Sequence, residues 1–161
     1  MVQALADLPR PDVAGLRWTE PHQWHVTLRF LGQVDAAVAG EAFRGIEPPA
    51  GEPVAALGPA TGRFGSRVLH APVGGLEGLA AATVAATVGV GQPPPERSFT
   101  GHVTLARARR PRGVDLRPLA GIPVAGGWVV RQLTLVASRP GGATGARYDV
   151  IETLALGSGG A

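Results

Sequence analysis

The sequence predicts an α+β fold, in which antiparallel strands form the sheets and a few helices are separate from them. Segments rich in β-branched and aromatic residues outnumber segments of helical periodicity, in the order strand–strand–helix twice and then strands. The 24 glycines and 15 prolines cluster between these segments, where they predict turns. At 161 residues and 45% hydrophobic content, the chain has the length and composition of one folded domain. We therefore predict a single domain over residues 1–161.

Apolar periodicity and chain-breaking residues define the predicted elements in order. The first eight residues have apolar side chains at a helical spacing and indicate the end of a helix. Asp35 is a suitable N-cap for a helix over 35–46, and an apolar stripe predicts another helix over 75–88. The glycine-rich segments 58–65 and 140–145 are predicted as a loop and a turn. The predicted strands are 16–18, 24–31, 53–57, 67–73, 98–108, 128–137 and 147–156.

Composition excludes several classes of protein. The chain has no cysteine, which excludes a disulfide framework and a cysteine-ligated zinc site. It has no run of about 20 apolar residues and no basic segment followed by an apolar one, so we expect no membrane span, no signal peptide and a cytoplasmic location. All basic residues are arginine, which suits phosphate, but abundant Ala, Gly and Pro indicate GC-rich coding. The net charge of +3 therefore permits an anionic partner without identifying one.

The tetrapeptide His-Val-Thr-Leu occurs twice, once in each half of the chain, and each copy lies in a predicted strand. Alternate residues of a strand share a face, so the Val and Leu side chains of each copy turn toward the core. The opposite face of each copy presents one imidazole and one hydroxyl together: His25 with Thr27, and His102 with Thr104. A single His-x-Thr is an ordinary polar strand face, but an identical repeat indicates a shared function.

Two such pairs suit the hydrolysis of a phosphodiester. One imidazole accepts a proton from water, the other donates one to the leaving oxygen, and the hydroxyls bind the non-bridging oxygens. A strained cyclic phosphate requires no metal for this chemistry, and the motifs lack the spacing and carboxylates of a metal site, so we predict no metal and no cofactor. Arg107 falls on the opposite face from His102 by strand parity, unless a bulge turns it. His22 and His70 have no matching context and are predicted to be structural or solvated.

These motifs and their surroundings resemble the two-histidine (2H) phosphoesterases. Within that superfamily the chain is most similar to the RNA 2′,3′-cyclic phosphodiesterases, historically called 2′-5′ RNA ligases. The resemblance covers nearly the whole chain, and its clearest segments are 16–21, 25–32, 67–69, 97–99 and 102–107. It implies a bilobal, pseudo-symmetric fold of antiparallel sheets with helices packed outside and one His-x-Thr motif in each lobe. Family members usually begin with a strand before the first helix, so we expect that strand to be missing and one sheet edge to be unpaired.

The resemblance also implies an activity and a site. It implies hydrolysis of an RNA terminal 2′,3′-cyclic phosphate to a 2′-phosphate, with His25 as general acid and His102 as general base, although these two roles are exchangeable. Thr27, Thr104 and Arg107 would bind the phosphate. Phe99 would form part of a wall beside the nucleoside. We expect a monomer from the resemblance alone.

Other functions remain open at this stage. A 2H enzyme can act on a small cyclic nucleotide or an ADP-ribose derivative, or join RNA ends in the reverse reaction. A non-catalytic module that binds RNA or nucleotides is a further alternative, although all four motif side chains are intact. The expected partners are therefore RNA 3′ ends or small cyclic nucleotides. A long basic track beyond the phosphate would favour RNA, whereas a closed pocket would favour a small molecule.

Overall fold

The computed structural model describes residues 1–110, 112–139 and 146–156, so the turn predicted over 140–145 lies outside the described residues. Helices and antiparallel strands are both present, which confirms the predicted α+β class. The helices are α1 (Val2–Ala6), α2 (Ala36–Arg44) and α3 (Glu77–Thr87). The strands are β1 (Leu16–Trp18), β2 (Val54–Leu57), β3 (Gly62–Phe64), β4 (Val68–Gly74), β5 (His102–Ala108), β6 (Gly126–Val129), β7 (Gln132–Arg139) and β8 (Arg147–Ala155).

Contacts divide the chain into two compact units. Unit 1 consists of Met1–Val26, Ala56–Gly74 and Thr100–Trp128. Unit 2 consists of Thr27–Ala55, Gly75–Phe99 and Val129–Ala161. The boundary therefore passes through the first His-x-Thr motif, between Val26 and Thr27. The prediction of a single domain with one motif in each lobe stays a prediction.

The larger sheet has the strand order β1-β5-β4-β2-β6, with β3 also paired to β4. Alternation along its central strands separates an apolar face from a polar one. The apolar face is buried and includes Leu69, Ala71, Val73, Val103 and Leu105. Burying a Leu or Val side chain contributes about 1.5–3 kcal/mol, so this face holds the centre of unit 1 together. Its opposite face carries the polar side chains that concern function.

Unit 2 packs α2 against α3 and against β8 of the β7–β8 hairpin. The α2 helix begins where predicted, because the Asp35 carboxylate accepts hydrogen bonds from the backbone N–H groups of Ala37 at 2.9 Å and Val38 at 3.3 Å. Buried apolar side chains fill the space between these elements, among them Phe43, Ile46, Leu76, Leu79 and Leu133.

The strand predicted over 24–31 is not formed. Within the described residues of this segment, ladder pairing is limited to one isolated bridge, between Val26 and Val103. Further along, the Leu31 carbonyl accepts a hydrogen bond from the Gln92 N–H at 2.8 Å, and the Arg29 guanidinium donates to the Gln92 carbonyl at 2.9 Å. The residues of this segment favour a strand, but a strand also needs a partner strand. Here the segment bonds to the loop after α3 instead.

Three further boundaries differ from the sequence-based prediction. The β3 strand forms inside the predicted loop 58–65, and β5 begins at His102 rather than at residue 98. The segment 128–137 is divided between β6 and β7, because it changes partner there: the Val130 N–H donates to the Pro53 carbonyl next to β2, and the Arg131 carbonyl accepts from the Leu156 N–H next to β8. Among the described residues, every helix is too short or too polar to cross a bilayer.

Candidate active site

The bridge between Val26 and Val103 places His25 and Val26 of the first motif beside the second motif, with the two segments running in opposite directions. In an antiparallel pair the residues that flank a bridge also lie opposite each other, so His25 comes opposite Thr104. Val103 is fully buried on the core face, so the side chains of His25 and Thr104 lie on the opposite face. Unit 1 therefore brings both histidines and the second threonine to one face.

Each motif histidine is oriented by the same local hydrogen bond. Nδ1 of His25 lies 2.7 Å from the Gln23 carbonyl, and Nδ1 of His102 lies 2.8 Å from the Thr100 carbonyl. A carbonyl oxygen only accepts hydrogen bonds, so Nδ1 must carry the hydrogen in both rings. The neutral form of each ring then has its lone pair on Nε2. In each motif, the carbonyl of the residue two positions before the histidine thus selects the same tautomer.

A β-bulge turns Arg107 onto the face of the motif. The register pairs Leu69 with Ala106 but His70 with Thr104, so β5 contains one extra residue at this point. Leu105 and Ala106 are consequently both buried, although they are neighbours in the strand. The alternation is shifted by one beyond the bulge, and Arg107 Nη2 lies 3.4 Å from the Thr104 hydroxyl oxygen. Simple parity, which places Arg107 on the other face, does not apply.

Thr19 and Trp24 hold this bulge in place. The Thr19 side chain is 6% exposed, and its hydroxyl oxygen lies 2.7 Å from the Thr104 carbonyl and 2.9 Å from the Leu105 carbonyl. The Thr19 N–H also donates to the Leu105 carbonyl at 2.8 Å. The Trp24 indole N–H donates to the same hydroxyl at 3.1 Å. The residue before His25 is thereby connected to the backbone of the second motif through one buried hydroxyl.

His70 and Phe64 form an aromatic cluster with His102 that the sequence analysis did not identify. The His70 ring stacks on Phe64 at 4.1 Å between centroids and lies 5.5 Å from the His102 ring. Gly62 leaves room for it, because a Cβ at that position would lie 2.8 Å from His70 Cε1. Burial, together with the nearby charge of His102, lowers the pKa of His70 to about 4. His70 is therefore an uncharged neighbour of His102 near neutral pH.

The remaining predicted residues lie in unit 2. Thr27 is exposed and Phe99 is half-buried, and their roles beside the histidines stay predictions. The structure brings together His25, His102 and Thr104, with Arg107 adjacent to Thr104. Among the described residues, no three His, Asp or Glu side chains are grouped as metal ligands would be.

Strand register explains why Phe64, His70 and also Arg17 were missed. His70 meets the motif because it pairs with Thr104, and Arg17 does so because it pairs with Arg107. Phe64 belongs to a three-residue strand inside a glycine-rich segment. No local pattern in the sequence specifies these pairings.

A family model described as LigT like phosphoesterase matches residues 2–53 of the chain. This match includes the first His-x-Thr motif but not the second. No curated protein matches the chain in sequence.

Solved structures match nearly the whole chain. TT0787 of Thermus thermophilus is 26% identical with a TM-score of 0.66, over 88% of this chain and 82% of that chain. E. coli LigT complexed with 3′-AMP is 25% identical with a TM-score of 0.68, over 97% of this chain and 92% of that chain. E. coli LigT complexed with NADP+ is 26% identical with a TM-score of 0.64, over 96% of this chain and 87% of that chain. Together with the paired His-x-Thr motifs, these similarities support the 2H phosphoesterase superfamily and, within it, the LigT-like, or 2′-5′ RNA ligase, family.

Proposed function

We propose that this protein hydrolyses the 2′,3′-cyclic phosphate at the end of an RNA to a 2′-phosphate, by metal-independent acid–base catalysis with two histidines. The observation that carries the proposal is the matched orientation of the two rings. Both Nδ1 atoms bond to a backbone carbonyl two residues earlier, and both motifs meet at one antiparallel bridge. One phosphorus atom between two Nε2 atoms is the arrangement that in-line displacement requires.

The reaction has one bond to form and one to break. Water attacks phosphorus, and Nε2 of His102 accepts the proton that the water releases. The bond from phosphorus to O3′ breaks, and Nε2 of His25 donates a proton to that oxygen. The product then carries a 2′-phosphate and a free 3′-hydroxyl, and a proton passes from His102 to His25 through solvent to complete the cycle.

Thr104 and Arg107 stabilise the phosphate in this scheme. The Arg107 guanidinium lies next to the Thr104 hydroxyl, so that both present donors to the same region. Charge-assisted hydrogen bonds to an anion are roughly twice as strong as neutral ones, and they strengthen as negative charge accumulates on the non-bridging oxygens. Thr27 has the equivalent role in the first motif, and Phe99 borders the nucleoside.

A mononucleotide substrate is the second candidate. It is supported by the complex of E. coli LigT with 3′-AMP, a mononucleotide, whereas the complex with NADP+, a dinucleotide, supports a small nucleotide more generally. The same acid–base chemistry serves a cyclic mononucleotide and an RNA end, so the substrates and not the residues distinguish these functions.

The proposal is tested by kinetics on three substrates with EDTA present. These are cytidine 2′,3′-cyclic phosphate, an oligonucleotide that ends in a 2′,3′-cyclic phosphate, and the same oligonucleotide with a 3′-phosphate. We expect turnover of the oligonucleotide cyclic phosphate, and a loss of about 10²–10⁴-fold in kcat for His25→Ala and for His102→Ala. His22→Ala, which removes an exposed histidine of unit 1, is the matched control and should retain activity. Turnover restricted to the mononucleotide would replace the RNA assignment with the second candidate.

The acid and base roles are separated by the leaving group. A substrate with a good leaving group needs no proton on departure, so loss of the general acid affects its rate little. Activity of His25→Ala should therefore recover on a cyclic phosphate analogue with an activated leaving oxygen, whereas that of His102→Ala should not. Recovery by His102→Ala instead would exchange the two roles.

A further inference from the structure

Arg17 stands directly opposite Arg107 in the sheet. The β1–β5 pairing matches Leu16 with Ala108, Arg17 with Arg107 and Trp18 with Ala106. Directly opposite residues of an antiparallel pair point to the same face. Because the bulge turns Arg107 toward Thr104, Arg17 also lies on the face that carries the two histidines.

Two arginines in this arrangement repel each other. Like charges directly opposite in a sheet are destabilising, and a guanidinium cannot relieve the repulsion by losing its proton. Unit 1 contains nine arginines against four acidic residues, a formal charge of +5. Unit 2 contains six arginines against eight acidic residues, a formal charge of −2. The positive charge is thus concentrated in the unit that carries both histidines.

The position of Arg17 separates it from the reacting phosphate. Thr104 pairs with His70 and Arg107 pairs with Val68, so the two lie two β4 residues apart, or about 7 Å along the strand. Arg17 is one strand further to the side, about 5 Å away. Arg17 and Arg107 therefore lie side by side on neighbouring strands, and the Arg17 backbone is about 9 Å from that of Thr104.

We propose that Arg17 binds a second phosphate of the substrate, the phosphodiester on the 5′ side of the terminal nucleotide, and thereby selects oligonucleotides over cyclic mononucleotides. The proposal rests on the proposed function and specifies its substrate class. A planar guanidinium suits a phosphodiester because it can donate two parallel hydrogen bonds to it.

The test compares a substrate that has this phosphodiester and the nucleoside beyond it with one that has neither. These are cytidine 2′,3′-cyclic phosphate and the dinucleotide CpC with a terminal 2′,3′-cyclic phosphate. Arg17→Gln should lower kcat/KM for the dinucleotide by about tenfold or more and leave that for the mononucleotide within about twofold. Arg17→Lys, which retains the charge, should recover part of the loss. Arg112→Gln removes the same charge from an exposed position of unit 1 and is the matched control.

Two outcomes would overturn the proposal. An equal loss on both substrates would assign Arg17 to the reacting phosphate, and no loss on either would remove it from the site. Circular dichroism and thermal unfolding of each variant identify any loss that is caused by misfolding. If Arg17→Gln is misfolded, kcat/KM on the two substrates is compared between Arg17→Lys and Arg112→Gln. A loss confined to the dinucleotide and to Arg17→Lys then supports the proposal, and no such loss contradicts it.

A binding measurement keeps the test independent of catalysis. If the wild-type protein hydrolyses neither substrate, the proposed function fails, but the subsite can still be measured with calorimetry. Adenosine 3′,5′-bisphosphate should then bind more tightly than 3′-AMP, and Arg17→Gln should abolish that difference. Equal affinities of the wild-type protein for these two probes would contradict the second phosphate subsite.

Discussion

Replacing His70 with glutamine should remove one contribution to the acid sensitivity of the fold. His70 is 7% exposed, and its pKa is lowered to about 4 from an ordinary value of 6.5, first by burial and second by the charge of His102. As the pH falls below 6.5, the unfolded chain binds a proton at this residue while the folded chain does not. The folded state therefore loses stability on acidification, and above pH 6.5 the residue has no such effect.

The magnitude follows from the two pKa values. Linkage between 6.5 in the unfolded chain and about 4 in the folded chain gives a loss of about 2 kcal/mol at pH 5.0 relative to pH 7.5, and about 3 kcal/mol at still lower pH. Glutamine does not titrate, and it carries no ring to be accommodated beside Gly62. The packing effect of the substitution is the same at both pH values, so it cancels in the comparison.

Urea denaturation of the wild type and His70→Gln at pH 7.5 and pH 5.0 gives the four free energies required. The wild type should lose about 2 kcal/mol more than the variant between these pH values. His22→Gln, which removes an exposed histidine, controls for the loss of one imidazole. Losses that agree within about 0.5 kcal/mol would refute the inference that His70 is held uncharged by its surroundings.

Three further predictions concern stability and are checked by urea denaturation. Thr19→Val should lower the free energy of unfolding by about 2 kcal/mol because it leaves buried partners unsatisfied, whereas Thr19→Ser should lower it by less than half as much; equal losses would contradict the role of the hydroxyl. Asp35→Ala should lower it by about 1 kcal/mol through loss of the α2 N-cap, and no change would contradict that cap. Gly62→Ala should lower it by about 1–3 kcal/mol because its Cβ meets the His70 ring, whereas Gly74→Ala, with no atom within 4 Å of its Cβ, should not; equal effects would contradict the close contact.

Elements with a strong local signal were predictable. The α2 helix has a capping aspartate and an apolar stripe, and β4 combines apolar residues with flanking turns, so their positions follow from the residues themselves. The segment 24–31 has equal propensity, but a strand also needs a partner, and that partner is specified by the rest of the chain. The β3 strand shows the reverse, because its pairing with β4 creates a strand from residues that locally favour a loop.

In the candidate site, too, only the residues with a local signal could be predicted from the sequence. The histidines could be found because an identical tetrapeptide repeats, and this signal requires no knowledge of the fold. The face of Arg107 could not be predicted, since it depends on a bulge whose carbonyls are bonded by Thr19 from outside the strand. The same reasoning applies to Arg17 and His70, which reach the motif only through register.

The most direct test of the account is hydrolysis in ¹⁸O-labelled water. An oligonucleotide with a terminal 2′,3′-cyclic phosphate is incubated with EDTA and with the wild-type, His25→Ala, His102→Ala or His22→Ala protein, and the product is analysed by mass spectrometry. The account predicts a 2′-phosphate with one ¹⁸O atom from the wild type and His22→Ala, and almost none from the other two variants. A folded wild-type protein that leaves the substrate intact, or one that loses activity only with EDTA, would contradict two-histidine hydrolysis without a metal.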